Sequence, residues 1–388
     1  MPAFFRARRV LLCTAFVFAC DGKPSDSLPT PDAGGSTTDA GAPPTAATPT
    51  PTPAPAARSA ANVLFSGHSL LDNPIPDYVA AIAAAKGDTL GWEQQIVIGS
   101  PIRIRTRGSD SGAGGYPGYG TGKNRTGTGR DLLAEIKAPT QLSAGQKYDT
   151  LLITERHNPL DTAQWEDSVG YLRHYHDRLV AAAPAARTLF YQCWPDIDKD
   201  APDAWIRYQQ VELPVWECIG SKVRLSLAAE GKPQNIGIVP GSVALAQLVE
   251  KALAGQVPGL DGTQREKLDR IFSDNVHLAA AGQYLIAAVH YASVFGKTPV
   301  GAHAAPELSS PTAEAIERIA WESVQHYAAT GSGSARTMED CRTRIAADVC
   351  PSYYAVRGQS LPAQGCEFWR GAQSPFNFPD SKLPLPAP

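Results

Sequence analysis

Between residues 60 and 297, short apolar runs of strand length alternate with longer amphipathic stretches. Asn62-Val63-Leu64-Phe65, Ile96-Val97-Ile98, Thr150-Leu151-Leu152-Ile153, Arg187 to Cys193 and Ile236 to Pro240 read as strands buried on both faces. Between or after them, the alanine-rich stretch Asp77 to Lys86, Gln164 to Ala183, Val243 to Ala254 and Ala279 to Phe295 carry helical spacing. Strand alternating with helix predicts a parallel sheet built through right-handed crossovers, hence an α/β fold with one sizeable domain. No internal repeat is visible.

The two ends of the chain follow other rules. Arg6, Arg8 and Arg9 precede the apolar stretch Val10 to Ala19, which is too short to span a bilayer but suits an export signal. The stretch closes on Val17-Phe18-Ala19-Cys20, which resembles the bacterial lipobox, so residues 1–20 are expected to be a lipoprotein-type signal with lipid on Cys20. The alternative is an ordinary signal peptide with an incidental cysteine. Residues 21–60 are Pro, Thr, Ala, Ser, Gly and Asp with almost no large apolar side chain, a composition that cannot bury enough surface to offset ordering entropy. They are expected to form a disordered tether between membrane and domain. Residues 61–298 then hold the main domain, and 299–388 a cysteine-bearing extension with a helix over Thr312 to Ala329 and a linker at Gly331-Ser332-Gly333-Ser334.

Composition narrows the partners. A hydrophobic share of 43% supports a real core, and a formal net charge of -3 excludes a nucleic-acid surface. Membrane contact is expected only through the lipid anchor. Cys193, Cys218, Cys341, Cys350 and Cys366 can pair in an exported chain, most simply Cys193 with Cys218 and two of the last three with each other. His174 and His176 point to different faces of a helix, and His290, His303 and His326 show no ligand spacing, so no metal site is expected. The glycines between Gly112 and Gly129 lack the Lys-Ser/Thr ending of a phosphate loop and are expected to form a rim near the site.

Two motifs carry chemistry. Gly67-His68-Ser69-Leu70 follows the first strand and precedes a helix, which puts a hydroxyl where ligands bind in open α/β sheets. Asp274-Asn275-Val276-His277 puts a carboxylate within one turn of an imidazole. A serine needs such a base, and the base a group that holds its tautomer. Each motif also has a structural reading, with Ser69 capping the next helix and Asp274 capping the last one.

Together the motifs resemble the SGNH, or GDSL-like, hydrolase family over roughly residues 60 to 297, with His68 where that family usually has aspartate. The resemblance implies a flavodoxin-like three-layer α/β/α sandwich with a central parallel sheet. It also implies a Ser69–His277–Asp274 triad and no cofactor. For the oxyanion it implies backbone N–H groups of Ser69 and Gly99, and a side-chain amide after the third strand. There the sequence reads Glu155-Arg156-His157-Asn158 in place of the family's Gly-x-Asn-Asp. Asn158 is the nearest amide, with His157 its rival. The implied activity is that of an exported serine esterase, with a polysaccharide or small-molecule ester as substrate and carbohydrate deacetylation foremost. A lipase-like hydrolase, or a catalytically inactive carbohydrate- or envelope-binding protein of the same fold, are the alternatives.

Overall fold

The computed structural model describes residues 56–106, 118–129, 131–330, 336–361 and 365–378. The expected signal, Cys20, most of the tether and the Gly331 to Ser334 linker lie outside them. Five strands, β1 (Ala60–Gly67), β2 (Thr89–Ile96), β3 (Thr150–Thr154), β4 (Arg187–Tyr191) and β5 (Ile236–Val239), form one all-parallel sheet in the order β2-β1-β3-β4-β5. The helices are α1 (Ile75–Ala85), α2 (Ile102–Thr106), α3 (Leu132–Lys137), α4 (Pro159–Trp165), α5 (Ser168–Ala182) and α6 (Asp203–Ala229), then α7 (Gly241–Leu253), α8 (Gln264–Ile271) and α9 (Ala280–Phe295). The extension adds α10 (Ser310–Ala329), α11 (Met338–Arg344) and α12 (Cys350–Val356).

Helices cover both faces of the sheet. Thr188 and Phe190 share one face of β4, where Thr188 meets His176 of α5 at 2.9 Å and Phe190 packs on Trp216 of α6. Tyr191, on the opposite face, stands perpendicular to His290 of α9 at 4.5 Å. The result is a three-layer α/β arrangement. Because β1 returns through α1 to one side as β2 and then crosses to β3 on the other, the chain reverses direction between β1 and β3. The carboxyl ends of these two strands therefore flank a crevice, the place where open α/β sheets bind ligands.

Several elements depart from the expected bounds. Of the run Ile96-Val97-Ile98 only Ile96 belongs to β2, whose buried residues on its two faces include Glu93, Gln94 and Gln95. The helix expected over 164–183 is broken at Asp167, which adopts φ 48 and caps Gly170. The cysteines pair as Cys218–Cys341 and Cys350–Cys366, leaving Cys193 as a buried thiol. The expected Cys193–Cys218 bridge is therefore overturned. Cys193, just past β4, turns its sulfur to the Glu155 carbonyl at 3.2 Å, whereas Cys218 in mid-α6 faces α11.

The extension packs onto the domain. The Cys218–Cys341 bridge fastens α11 to α6 across 123 residues, and Arg336 pairs with Glu217 of α6 at 2.5 Å. Tyr353, Trp369 and Phe376 are buried in the shared core. At the other end, Arg58 already engages the fold, pairing with Asp149 at 2.7 Å and donating its N–H to Phe295. His174 and His176 are buried, hydrogen-bonded to Tyr119 and Thr188 respectively.

One buried group makes stability sensitive to acid. Among the described residues both His290 ring nitrogens lack a hydrogen-bond partner, and burial lowers its pKa to about 3. The unfolded chain takes up this proton near pH 6.5 while the fold refuses it until about 3. This contribution is thus present above the unfolded pKa and lost as pH falls, with a slope of about 1.4 kcal/mol per pH unit inside the window. His290→Phe is expected to remove that single-proton slope between pH 6 and 4 in urea unfolding. An unchanged acid slope would show that another group takes the proton.

Candidate active site

The crevice between β1 and β3 begins with the turn after Gly67. A Cβ at Gly67 would lie 2.8 Å from Leu71 and 3.2 Å from Thr154, so only glycine lets the chain bend this closely against β3. Leu71 N–H closes the turn on the His68 carbonyl at 2.9 Å. His68 is buried, and burial together with the nearby Arg105 charge lowers its pKa to about 3. The neutral ring donates from Nε2 to the Glu155 carbonyl at 3.1 Å, and Nδ1 faces the Leu70 N–H at 3.4 Å. The residue beside Ser69 thus ties the end of β1 to the end of β3.

Asp274 and His277 sit on a tight loop between α8 and α9, pinched by the Phe272–Leu278 bridge and by Ser273 N–H to the His277 carbonyl at 2.9 Å. Asp274 uses both oxygens. Oδ1 accepts from the backbone of Val276 at 2.7 Å and His277 at 2.6 Å, and Oδ2 meets His277 Nδ1 at 2.7 Å. His277 Nε2 is then 3.0 Å from Ser69 Oγ. Partial burial pushes the Asp274 carboxyl up, but the His277 hydrogen bonds and that from Val276 outweigh it and set the pKa at about 2. With the carboxylate ionised, Nδ1 carries the proton and Nε2 is free to accept the serine hydroxyl. The loop is held from outside by Trp194 Nε1 to the Val276 carbonyl and Ile197 N–H to the Asn275 carbonyl, each 2.8 Å.

The capping readings do not describe either motif. The N-cap of α1 is Pro74, five residues past Ser69, and the N-cap of α9 is Ala279, with no side-chain cap.

Two of the expected oxyanion donors are unengaged among the described residues. Gly99 has φ 67, the left-handed region that favours glycine, and neither its N–H nor that of Ser69 donates to another group among the described residues. Asn158 is engaged elsewhere. Its Nδ2 donates to Asp161 at 2.9 Å and its Oδ1 accepts from Arg156 Nε at 2.8 Å. His157 makes no hydrogen bond among the described residues, stands edge-on to His68 at 6.4 Å, and lies close enough to His277 for the two rings to interact electrostatically. Burial, then the Arg357, Arg156 and His277 charges, lower its pKa against the pull of Asp196.

Beneath these groups lies a polar network that sequence reading missed. Arg105 of α2 is fully buried, and burial lowers its pKa to about 10, so it remains charged at neutral pH. It donates to the Ser100 carbonyl at 2.8 Å, to Ser66 Oγ at 3.1 Å and to the Thr154 carbonyl. One side chain thereby joins the ends of β1 and β3 to the loop that carries Gly99. Burial pushes the Glu155 carboxyl up against the attraction of Arg105, and the carboxylate accepts from Ile102 N, Arg156 N and Ser168 Oγ. The only sequence signal was two arginines spaced through an apolar stretch just after the glycine. On the rim, Lys123 of the glycine-rich segment pairs with Asp72, three residues past Ser69, at 2.5 Å.

No protein family's sequence profile matches the chain, and no curated protein matches it. Among solved structures it is similar to a DUF4886 family protein from Bacteroides uniformis ATCC 8492, with a TM-score of 0.45 and 14% identity over 69% of this chain and 96% of that one.

Proposed function

We propose that this protein is a serine esterase of the SGNH type. The observation that carries the reading is the unbroken relay Asp274–His277–Ser69, with His277 2.7 Å from Asp274 and 3.0 Å from Ser69, a group 208 residues away in sequence. The strand order, that of flavodoxin-type doubly wound sheets, is the one the resemblance implies. In this mechanism His277 Nε2 takes the Ser69 proton as Oγ attacks the ester carbonyl. The tetrahedral oxyanion is held by the free N–H groups of Ser69 and Gly99 and by His157. Collapse releases the alcohol, which takes its proton from His277, and water then hydrolyses the acyl-serine by the same route. Asp274 holds the ring's tautomer and stabilises the imidazolium. No cofactor enters these steps.

Deacetylation of carbohydrate fits better than lipolysis. A lipase needs a broad apolar surface at its mouth. The exposed large apolar side chains among the described residues are Ile98, Trp165, Leu361 and Phe378, of which Ile98 alone adjoins a candidate site residue, Gly99, in sequence. Two disulfides favour an oxidising compartment, and no helix among the described residues is long and apolar enough to cross a membrane. Export behind the signal, with lipid on Cys20, is the corresponding proposal for location. The inactive binding protein is favoured by one observation, the commitment of the Asn158 amide to Asp161.

A fluorophosphonate probe separates the two, because it reacts only with an activated serine. Intact-mass analysis is expected to show one adduct on the wild-type chain and none on Ser69→Ala. A folded wild-type chain that stays unlabelled would leave the binding protein as the better reading.

A further inference from the structure

The extension reaches the candidate site through a continuous chain of contacts. The buried Tyr353 of α12 donates its hydroxyl to Asp161 Oδ2 at 2.6 Å, and the same oxygen accepts from Asn158, whose carbonyl in turn braces Arg156. One turn past Tyr353, the Arg357 guanidinium lies over the tyrosine ring, 5.1 Å from its centroid. That cation–π contact holds the group over the ring but satisfies none of its donors. Arg357 Nε is buried without an acceptor, and its remaining nitrogens make no hydrogen bond among the described residues. The Arg156 guanidinium donates through Nε, and its terminal nitrogens make no hydrogen bond among the described residues.

No carboxylate is hydrogen-bonded to the Arg357 guanidinium among the described residues. Its carboxylate neighbour Glu212 is fully buried, and burial raises its pKa to about 8 despite the Trp216 and Tyr208 hydrogen bonds, so at neutral pH it is protonated. Asp161 already accepts from Tyr353 and Asn158. Asp196 acts on His157 from another side. Arg156 and Arg357 both lie close enough to His157 to oppose its protonation, as His277 does. Two guanidinium groups with open donors among the described residues therefore act on the histidine that stands beside the triad.

We propose that Arg357 and Arg156 form an anion-recognition site at the edge of the triad, and that the preferred ester carries a carboxylate near its scissile bond. A planar fork held in place before binding loses little freedom on pairing with a carboxylate, and such charge-assisted bidentate pairs are among the stronger hydrogen bonds. The extension thus supplies a specificity residue as well as packing. The proposal rests on the serine-esterase reading for its kinetics, but not for the binding it requires.

The test compares 4-acetoxybenzoate with its neutral methyl ester, using the full chain. Arg357→Gln is expected to lower the ratio of kcat/KM for the acid over the ester by tenfold or more, through KM, and Arg357→Lys to recover part of it. Arg156→Gln is expected to act in the same direction and serves if Arg357→Gln fails to fold. If both substitutions change the two substrates alike, or leave the ratio where it was, the arginines are structural and the proposal is wrong. Should the wild-type chain hydrolyse neither compound, the esterase reading fails on its own. Calorimetric titration of 4-acetoxybenzoate into Ser69→Ala, with and without Arg357→Gln, then decides the anion site, with tenfold weaker binding expected in the double variant and equal binding overturning it.

Discussion

Ser69→Ala and His277→Ala are each expected to lower kcat for a short-chain aryl acetate by about 10⁴-fold or more, with circular dichroism and melting temperature nearly unchanged. Both groups act in the same proton transfer, so the double variant is expected to be no worse than either alone. Asp274→Asn is expected to lose on the order of 10³-fold, for a geometric reason. The Asp274 Oδ1 position accepts two backbone N–H groups, at 2.6 and 2.7 Å, and an asparagine oxygen would stay there. Its amide N–H₂ would then face Nδ1 and drive the ring to the tautomer whose Nε2 carries the proton. In that form the ring no longer accepts the Ser69 hydroxyl. Asp274→Ala, which leaves room for water beside a half-exposed ring, is expected to be milder than Asp274→Asn. Equal losses in the two variants would mean that negative charge, which both remove, and not tautomer control, is the main contribution of the carboxylate.

These residues were legible because their placement depends on local rules. A serine two residues past a strand-ending glycine, and a carboxylate three residues before an imidazole, each fix most of the geometry within one turn of chain. The meeting of the two, at 3.0 Å, needed only a parallel sheet that brings the turn after β1 and the loop before α9 to one edge. What stayed hidden was decided by distant partners. The helix α6 carries Pro214 and buries Glu212, Glu217, Lys222 and Arg224, so its periodicity looks polar until Arg336 and the segment at Pro375 are packed on it. The edge strand β2 buries Gln94 and Gln95 against the segment from Gly118 to Asn124, and apolar counting found only its last residue. Arg105 reads as a surface charge until Ser66, Ser100 and Thr154 converge on it. Two of the last three cysteines pair with each other as expected, Cys350 with Cys366, but the partner of Cys218 was missed for the same reason. Cys218 finds its partner 123 residues away, a choice that spacing does not encode.

The third oxyanion donor is where a family pattern and the local chemistry part. By position, Asn158 matches the asparagine that the resemblance implies, but its amide nitrogen is held by Asp161 and its carbonyl by Arg156. Freeing it would strip the brace that links Arg156 to Tyr353. His157 has no such commitments, and its lowered proton affinity leaves it neutral at pH 7, with one N–H to donate. An imidazole N–H aimed at developing negative charge works mainly in the transition state, so its removal is expected to act on kcat with little change in KM. His157→Ala is therefore expected to lower kcat by about a hundredfold, and His157→Gln, which keeps an N–H donor, to recover part of the loss. Asn158→Ala is expected to have a smaller effect, arriving through KM for the acidic substrate as Arg156 loosens. If Asn158→Ala instead lowers kcat a hundredfold while His157→Ala is silent, the amide must leave Asp161 when substrate binds, and the family's donor is conserved in place despite its altered surroundings.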